Sequence, residues 1–151
     1  MIRIRGKYLA LGTGLVIILI LGHIWYALFS EIGYQAPEDL PPVDPNVEHR
    51  VFAYGTLRFS PVRWLVIGQH AAPQPARIEN YRRDGLNIEP EGGNQVEGIV
   101  FTVSAEQLKR LDRYERLGVK YQRKQLTLHD GSRAWVYQLK ELPFDAITEN
   151  D

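Results

Sequence analysis

Residues 8–29, YLALGTGLVIILILGHIWYALF, contain no Asp, Glu, Lys or Arg, and this uncharged run limits what the rest of the 151-residue chain can be. As a helix rising about 1.5 Å per residue it reaches roughly 33 Å, enough to cross the hydrocarbon layer of a bilayer. Arg3, Arg5 and Lys7 precede it, and the first charges after it are Glu31, Glu38, Asp39 and Asp44. Basic flanks stay in the cytoplasm. The sequence therefore predicts a cytoplasmic N-terminus at 1–7, one transmembrane signal anchor at 8–29, and an extracytoplasmic remainder, periplasmic or extracellular. Trp25 and Tyr26 suit an interfacial aromatic belt, with His23 beside them. A cleaved signal peptide fits less well, because the apolar run exceeds the usual core of about 7–15 residues and no small-x-small cleavage site follows. Gly12, Gly14 and Gly22 form no GxxxG face, so the oligomeric state stays open.

All 18 acids lie after position 30, where 15 of the 18 cations also lie, so the external part carries a net charge of −3. That part has no basic footprint for nucleic acid. With no cysteine in the chain, disulfides, thiol nucleophiles and Cys metal sites are excluded. The four histidines are scattered without metal-ligand spacing, and neither a GxSxG elbow nor a P-loop is present. Residues 30–48, with four prolines and five acids, read as an extended spacer. One small domain is expected over 49–143, followed by a tail at 144–151.

Alternation and turn residues divide that domain into strands and two helices. VFAYGTLR (51–58) reads as a strand ending at Gly55-Thr56. In SPVRWLVIG (60–68), Ser60 is placed as the N-cap, Pro61 as the first helical residue and Gly68 as the stop. ARIENYRRD turns at Asp84-Gly85, EPEGGNQVEG is expected to be a turn between strands, and QVEGIVFTV (95–103) is the next strand. Asp130-Gly131-Ser132 joins the runs 121–129 and 133–139 into a hairpin. Ser104 and Gln107 form a capping box that starts a helix. The fold class read from periodicity is α+β.

Two features of this domain carry possible chemistry. At about 100° per residue Glu115 falls between Leu108 and Leu111 on the apolar stripe of the second helix, about 20° from Leu108. A desolvated acid there would have a raised pKa and could accept a proton near neutral pH; alternatively the stripe has ended and the side chain is exposed. Asp112, on the other side of Leu108, is assigned a local hydrogen bond or ion pair. The turn at Gly55 either presents backbone N–H groups to a ligand or is an ordinary turn. Tyr121 and Tyr137 default to core aromatics with bonded hydroxyls.

VFAYGTLR (51–58), VEGIVFTVSAEQLKRLDRYE (96–115), YQRKQLTL (121–128) and WVY (135–137), in this order, resemble the gamma-glutamylcyclotransferase-like family, most closely its gamma-glutamylamine cyclotransferase branch. The resemblance implies a small mixed β-barrel with flanking helices, preceded here by the transmembrane helix. It implies an intramolecular reaction in which the α-amino group of a small γ-glutamyl substrate attacks its own γ-carbonyl, releasing 5-oxoproline and an amine or amino acid. It maps the glutamyl-binding loop onto Tyr54, Gly55, Thr56 and Leu57, the catalytic glutamate onto Glu115, and pocket tyrosines onto Tyr121 and Tyr137, with no cofactor or metal. Phe59-Ser60-Pro61 departs from the glycine-containing turn common in the branch, and an external location departs from the cytosolic habit of the family. A non-catalytic binding or scaffolding module at the membrane surface is the alternative.

Overall fold

The computed structural model describes residues 12–20, 22, 26, 34–68 and 72–140. The chain forms two compact units, Met1–Gln35 and Ala36–Asp151. In the first, residues 12–20 are helical (α1) and residues 15–20 expose their apolar side chains. Among the described residues no helix is long and apolar enough to cross a membrane. Much of the expected span 8–29 lies outside the described residues, as does the tail 144–151.

The second unit runs β1 (His49–Ala53), a 3-10 turn (Thr56–Arg58), α2 (Ser60–Ile67), β2 (Gln74–Asp84), β3 (Asn87–Val103), α3 (Ala105–Tyr114), β4 (Tyr121–Thr127) and β5 (Arg133–Leu139). The five strands form one mixed sheet in the order β2-β3-β1-β5-β4. All pairs are antiparallel except β1 with β5, where Val51 faces Trp135. Central β1 is buried on both faces, which explains its nearly unbroken apolar run. Val51 and Ala53 pack against Val66, Ile67, Leu108 and Leu111 of the helices. Phe52 and Tyr54 face a second core with Ile78, Ile88, Val100 and Val136.

The expected closed barrel is a half-barrel, because β2 and β4 share no ladder. Its curl comes from a bulge. Glu79 pairs with Gln95 and Tyr81 with Pro90, so the single residue Asn80 stands opposite residues 91–94. Asn80 takes φ 59° and Gly93 φ 80°. EPEGGNQVEG (89–98), expected to be a turn between strands, thus lies inside β3, and the β2–β3 hairpin bends until its tip reaches β5. There Leu139 N–H donates to Asn87 Oδ1 at 2.9 Å, and Gln138 Nε2 to the Ile88 carbonyl at 3.0 Å. At the other end His129 N–H donates to the Arg77 carbonyl at 2.9 Å. Three side-chain and loop bonds do the work of the missing ladder.

Several local expectations hold and two shift. Ser104 and Gln107 make the capping box, with N–H···O distances of 3.2 and 2.9 Å. Gly68 ends α2 in the left-handed region, as expected, but Phe59 occupies the N-cap position and Ser60 is already helical. The segment expected as a spacer is folded in part. Leu40 and Val43 pack against the first core, and Arg123 Nη2 donates to the Pro41 carbonyl at 2.8 Å. A Cβ at Gly118 would lie 2.7 Å from Pro37 Cγ, so this strap lies directly on the loop after α3.

Candidate active site

Glu115 occupies the C-cap of α3, its N–H bonded to the Leu111 carbonyl at 2.9 Å. The helical phase therefore persists to residue 115, and the side chain is half-buried. No described residue donates a hydrogen bond to its carboxylate. Burial lifts its pKa from 4.5 to about 7, opposed only in part by the charge of Lys120.

The loop after Glu115 brings a tyrosine back to it. Arg116 and Gly118 both take positive φ, and Gly118 N–H donates to the Tyr121 carbonyl at 2.7 Å. Burial raises the Tyr121 hydroxyl, helped by the neighbouring Glu115 and Tyr114. Tyr54 reaches the same place from the end of β1. Its hydroxyl donates to the Tyr137 carbonyl at 2.6 Å, with the Leu86 carbonyl at 3.1 Å as a second acceptor. Burial, Tyr121 and Glu115 raise its pKa further. The tip of the β2–β3 hairpin thus supplies a wall that sequence reasoning missed, since Leu86 arrives only through the bulge.

Tyr137 has a different place. Its hydroxyl donates to Asp112 Oδ1 at 2.6 Å, inside the first core. Asp112 also accepts two bonds from Arg123 Nη1, at 2.9 and 2.7 Å, yet burial outweighs these partners and raises its carboxyl. Arg123 lies 4.6 Å over the Trp135 ring and grips Pro41. This network lies one residue-face away from the site: it fixes α3, which carries Glu115, on the sheet and on the strap.

The Tyr54–Leu57 loop forms the opposite side. Leu57 is buried, and among the described residues nothing lies within 4 Å of a Cβ placed on Gly55. Thr56 Oγ1 lies 3.2 Å from the Tyr114 hydroxyl, which ties the loop to the residue before Glu115. Thr56 and Leu57 are the first residues of the 3-10 turn, so their N–H groups have no acceptor within it. Behind the turn stands Arg63 of α2, 5% exposed. Its Nη1 donates to the carbonyls of Leu57 at 2.9 Å and Arg58 at 2.6 Å. Arg63 was not singled out in the sequence, although it shares a helical face with Val66 and Ile67, all three buried. The fold therefore brings Tyr54, Tyr121 and Glu115 together, ties Thr56 to the adjacent Tyr114, and anchors Leu57 and Tyr137 in the first core. It combines an acid raised toward neutrality with tyrosine hydroxyls and the leading N–H groups of a 3-10 turn, a set suited to moving a proton beside a bound polar ligand.

The fold recurs in solved structures. A solution structure of an Arabidopsis thaliana protein is 24% identical, covering 70% of this chain and 75% of that one at a TM-score of 0.53. An uncharacterized Homo sapiens protein is 20% identical over 62% of this chain and 68% of its own, with a TM-score of 0.57. A structure described as a gamma-glutamyl cyclotransferase is 16% identical over 63% of this chain and 68% of its own, with a TM-score of 0.52. At these identities the likeness is one of fold. No curated protein matches the chain in sequence. The family model for gamma-glutamyl cyclotransferase, AIG2-like proteins matches residues 51–150, from the buried core of β1 past the end of β5, and the chain belongs to that family.

Proposed function

We propose that the chain is a membrane-anchored gamma-glutamylamine cyclotransferase-like enzyme that releases 5-oxoproline from small L-γ-glutamyl compounds, with Glu115 as general acid and base. The observation that carries this reading is the half-buried Glu115 carboxyl, raised to about 7 and set beside Tyr54 and Tyr121. The α-ammonium group of a γ-glutamyl compound cannot attack until it loses a proton. The Glu115 carboxylate takes that proton, the amine nitrogen bonds to the γ-carbonyl carbon, and the C–N bond to the leaving group breaks as Glu115 returns the proton to the departing nitrogen; the second proton of the ring nitrogen then passes to the released amine, leaving the lactam N–H. Both reacting groups belong to one molecule, so holding it folded against Tyr54, Tyr121 and the N–H groups of Thr56 and Leu57 supplies much of the acceleration. Residues 8–29 hold the enzyme in the membrane, N-terminus inside and domain outside, which directs it to extracytoplasmic substrates. The exposed apolar side chains of residues 15–20 support this placement.

The test is to incubate the full chain in detergent with a panel of γ-glutamyl amines and amino acids and to measure 5-oxoproline. Release by the wild type and its loss in Glu115→Gln are expected. Ligand binding without release from any member would make the domain a binding module, and equal release by Glu115→Gln would remove Glu115 from the mechanism.

A further inference from the structure

Arg63 is a buried cation that the chemistry above leaves without a role. Among the described residues no carboxylate pairs with it, its Nε has no partner, and its guanidinium lies 5.8 Å over the Phe101 ring. Burial pulls its pKa down from the ordinary arginine value. A desolvated, unpaired charge is a costly way to fill a helix–sheet interface. What it provides that an apolar side chain of similar length would not is a fork donating to two consecutive carbonyls, those of Leu57 and Arg58.

We infer that Arg63 is the positioning residue of the substrate loop: from behind the turn it fixes the orientation of Gly55, Thr56 and Leu57, so that the N–H groups of Thr56 and Leu57 can receive a carboxylate of the substrate. This rests on the cyclotransferase reading for the identity of the ligand. Three anchors hold the loop. The Leu57 side chain is in the first core, the Tyr114 hydroxyl meets Thr56, and Arg63 holds the two following carbonyls. In a trans peptide C=O and N–H point in opposite directions. Holding the Leu57 and Arg58 carbonyls toward α2 turns the N–H groups of Arg58 and Phe59 the other way, onto the carbonyls of Gly55 at 3.1 Å and Thr56 at 3.0 Å, and the N–H groups of Thr56 and Leu57, opposite those two carbonyls, then point out of the turn. Such a residue contributes to ground-state and transition-state binding alike, so its loss raises KM more than it lowers kcat.

Arg63→Met, Arg63→Lys and Val66→Ala are to be compared in the full chain in detergent. Val66 is buried on the same helix and its side chain has no donor for the loop carbonyls, so it matches a purely structural loss. Arg63→Met is expected to raise KM for a γ-glutamyl amine at least tenfold with kcat within threefold of wild type. Arg63→Lys should recover part of the loss, and Val66→Ala should leave KM unchanged. A binding measurement independent of turnover uses glutarate as the probe. The amide signals of Thr56 and Leu57 should shift in the wild type and not in Arg63→Met. If the wild type releases no 5-oxoproline but these amides still respond, the catalytic reading falls and the role of Arg63 stands. If Arg63→Met matches Val66→Ala in KM, or if the wild-type amides do not respond to glutarate, the inference is overturned.

Discussion

Replacing Glu115 by Gln should destroy activity and stabilise the protein, and the two effects should share one pH dependence. The folded-state pKa of about 7 lies above the reference of 4.5 because burial penalises the charged form. Below pH 4.5 the carboxyl is protonated in both states and contributes nothing differential. As pH rises from 4.5 to 7 the unfolded chain releases this proton while the native protein keeps it, so stability falls across that window. At 1.36 kcal/mol per unit the 2.5-unit difference corresponds to about 3 kcal/mol by pH 8. Gln has no such titration. Glu115→Gln should therefore equal the wild type at pH 4 and exceed it by about 3 kcal/mol at pH 8. Urea unfolding of the fragment 36–151, which keeps the strap and both cores, gives this difference at each pH. On the activity side the carboxylate is the competent base, so kcat/KM should drop tenfold per unit below pH 7 and stand near ~1% of its plateau at pH 5. The variant should lose about 10²–10⁴-fold at the plateau. A stability difference independent of pH between 4 and 8, or an activity inflection near 4.5, would refute the desolvation argument and with it the acid–base role.

Four further outcomes follow from the contacts. Arg123→Met strands the Asp112 carboxylate in the core and should cost about 3–5 kcal/mol in urea unfolding. A fragment starting at residue 45 loses the Pro41 carbonyl and the packing of Leu40 and Val43, and its free energy of unfolding in urea should fall by roughly 2–4 kcal/mol relative to 36–151. Gly98→Ala drives a methyl into the Ala53 carbonyl and the Phe52 ring, with Phe52 Cζ 2.6 Å from the new atom, and should lose about 1–3 kcal/mol by thermal unfolding. A periplasm-active reporter fused after Asp151 should be active; activity only from a cytoplasmic reporter would reverse the proposed topology.

What could be read from the sequence was what neighbours along the chain decide. The capping box at Ser104, the left-handed stop at Gly68 and the hairpin at Asp130-Gly131-Ser132 each depend on a few adjacent residues, and each is found where expected. The curl of the sheet depends on residues far apart. Asn80 and Gly93 bend the hairpin together, and the resulting contact carries Leu86 and Asn87 to residues more than 30 positions away. Glycines at 92 and 93 signalled a departure from regular strand, but a bulge inside a strand and a turn between strands use the same residues. The strap shows the same limit. Proline-rich, acidic composition indicates an extended chain, and an extended chain can lie on a surface as easily as it can span solvent; Arg123 and Gly118, some 80 positions on, decide between them.

Glu115 and Arg63 show how far a local pattern can lead to a site. Both are charges on the apolar stripe of a helix, at i+4 from Leu111 and at i−3 and i−4 from Val66 and Ile67. Phase alone marks both as desolvated, and desolvation shifts the two in opposite directions, the acid up and the base down. The periodicity could not supply what faces them. Glu115 has Tyr54 and Tyr121 beside it and no hydrogen-bond donor among the described residues, so its free energy of burial is available for proton transfer. Arg63 has two carbonyls of the preceding turn, so its cost goes into holding a shape. The distinction between a reacting group and a positioning group thus lies in the partner, and a charge whose partners are all backbone carbonyls acts through the geometry that it imposes.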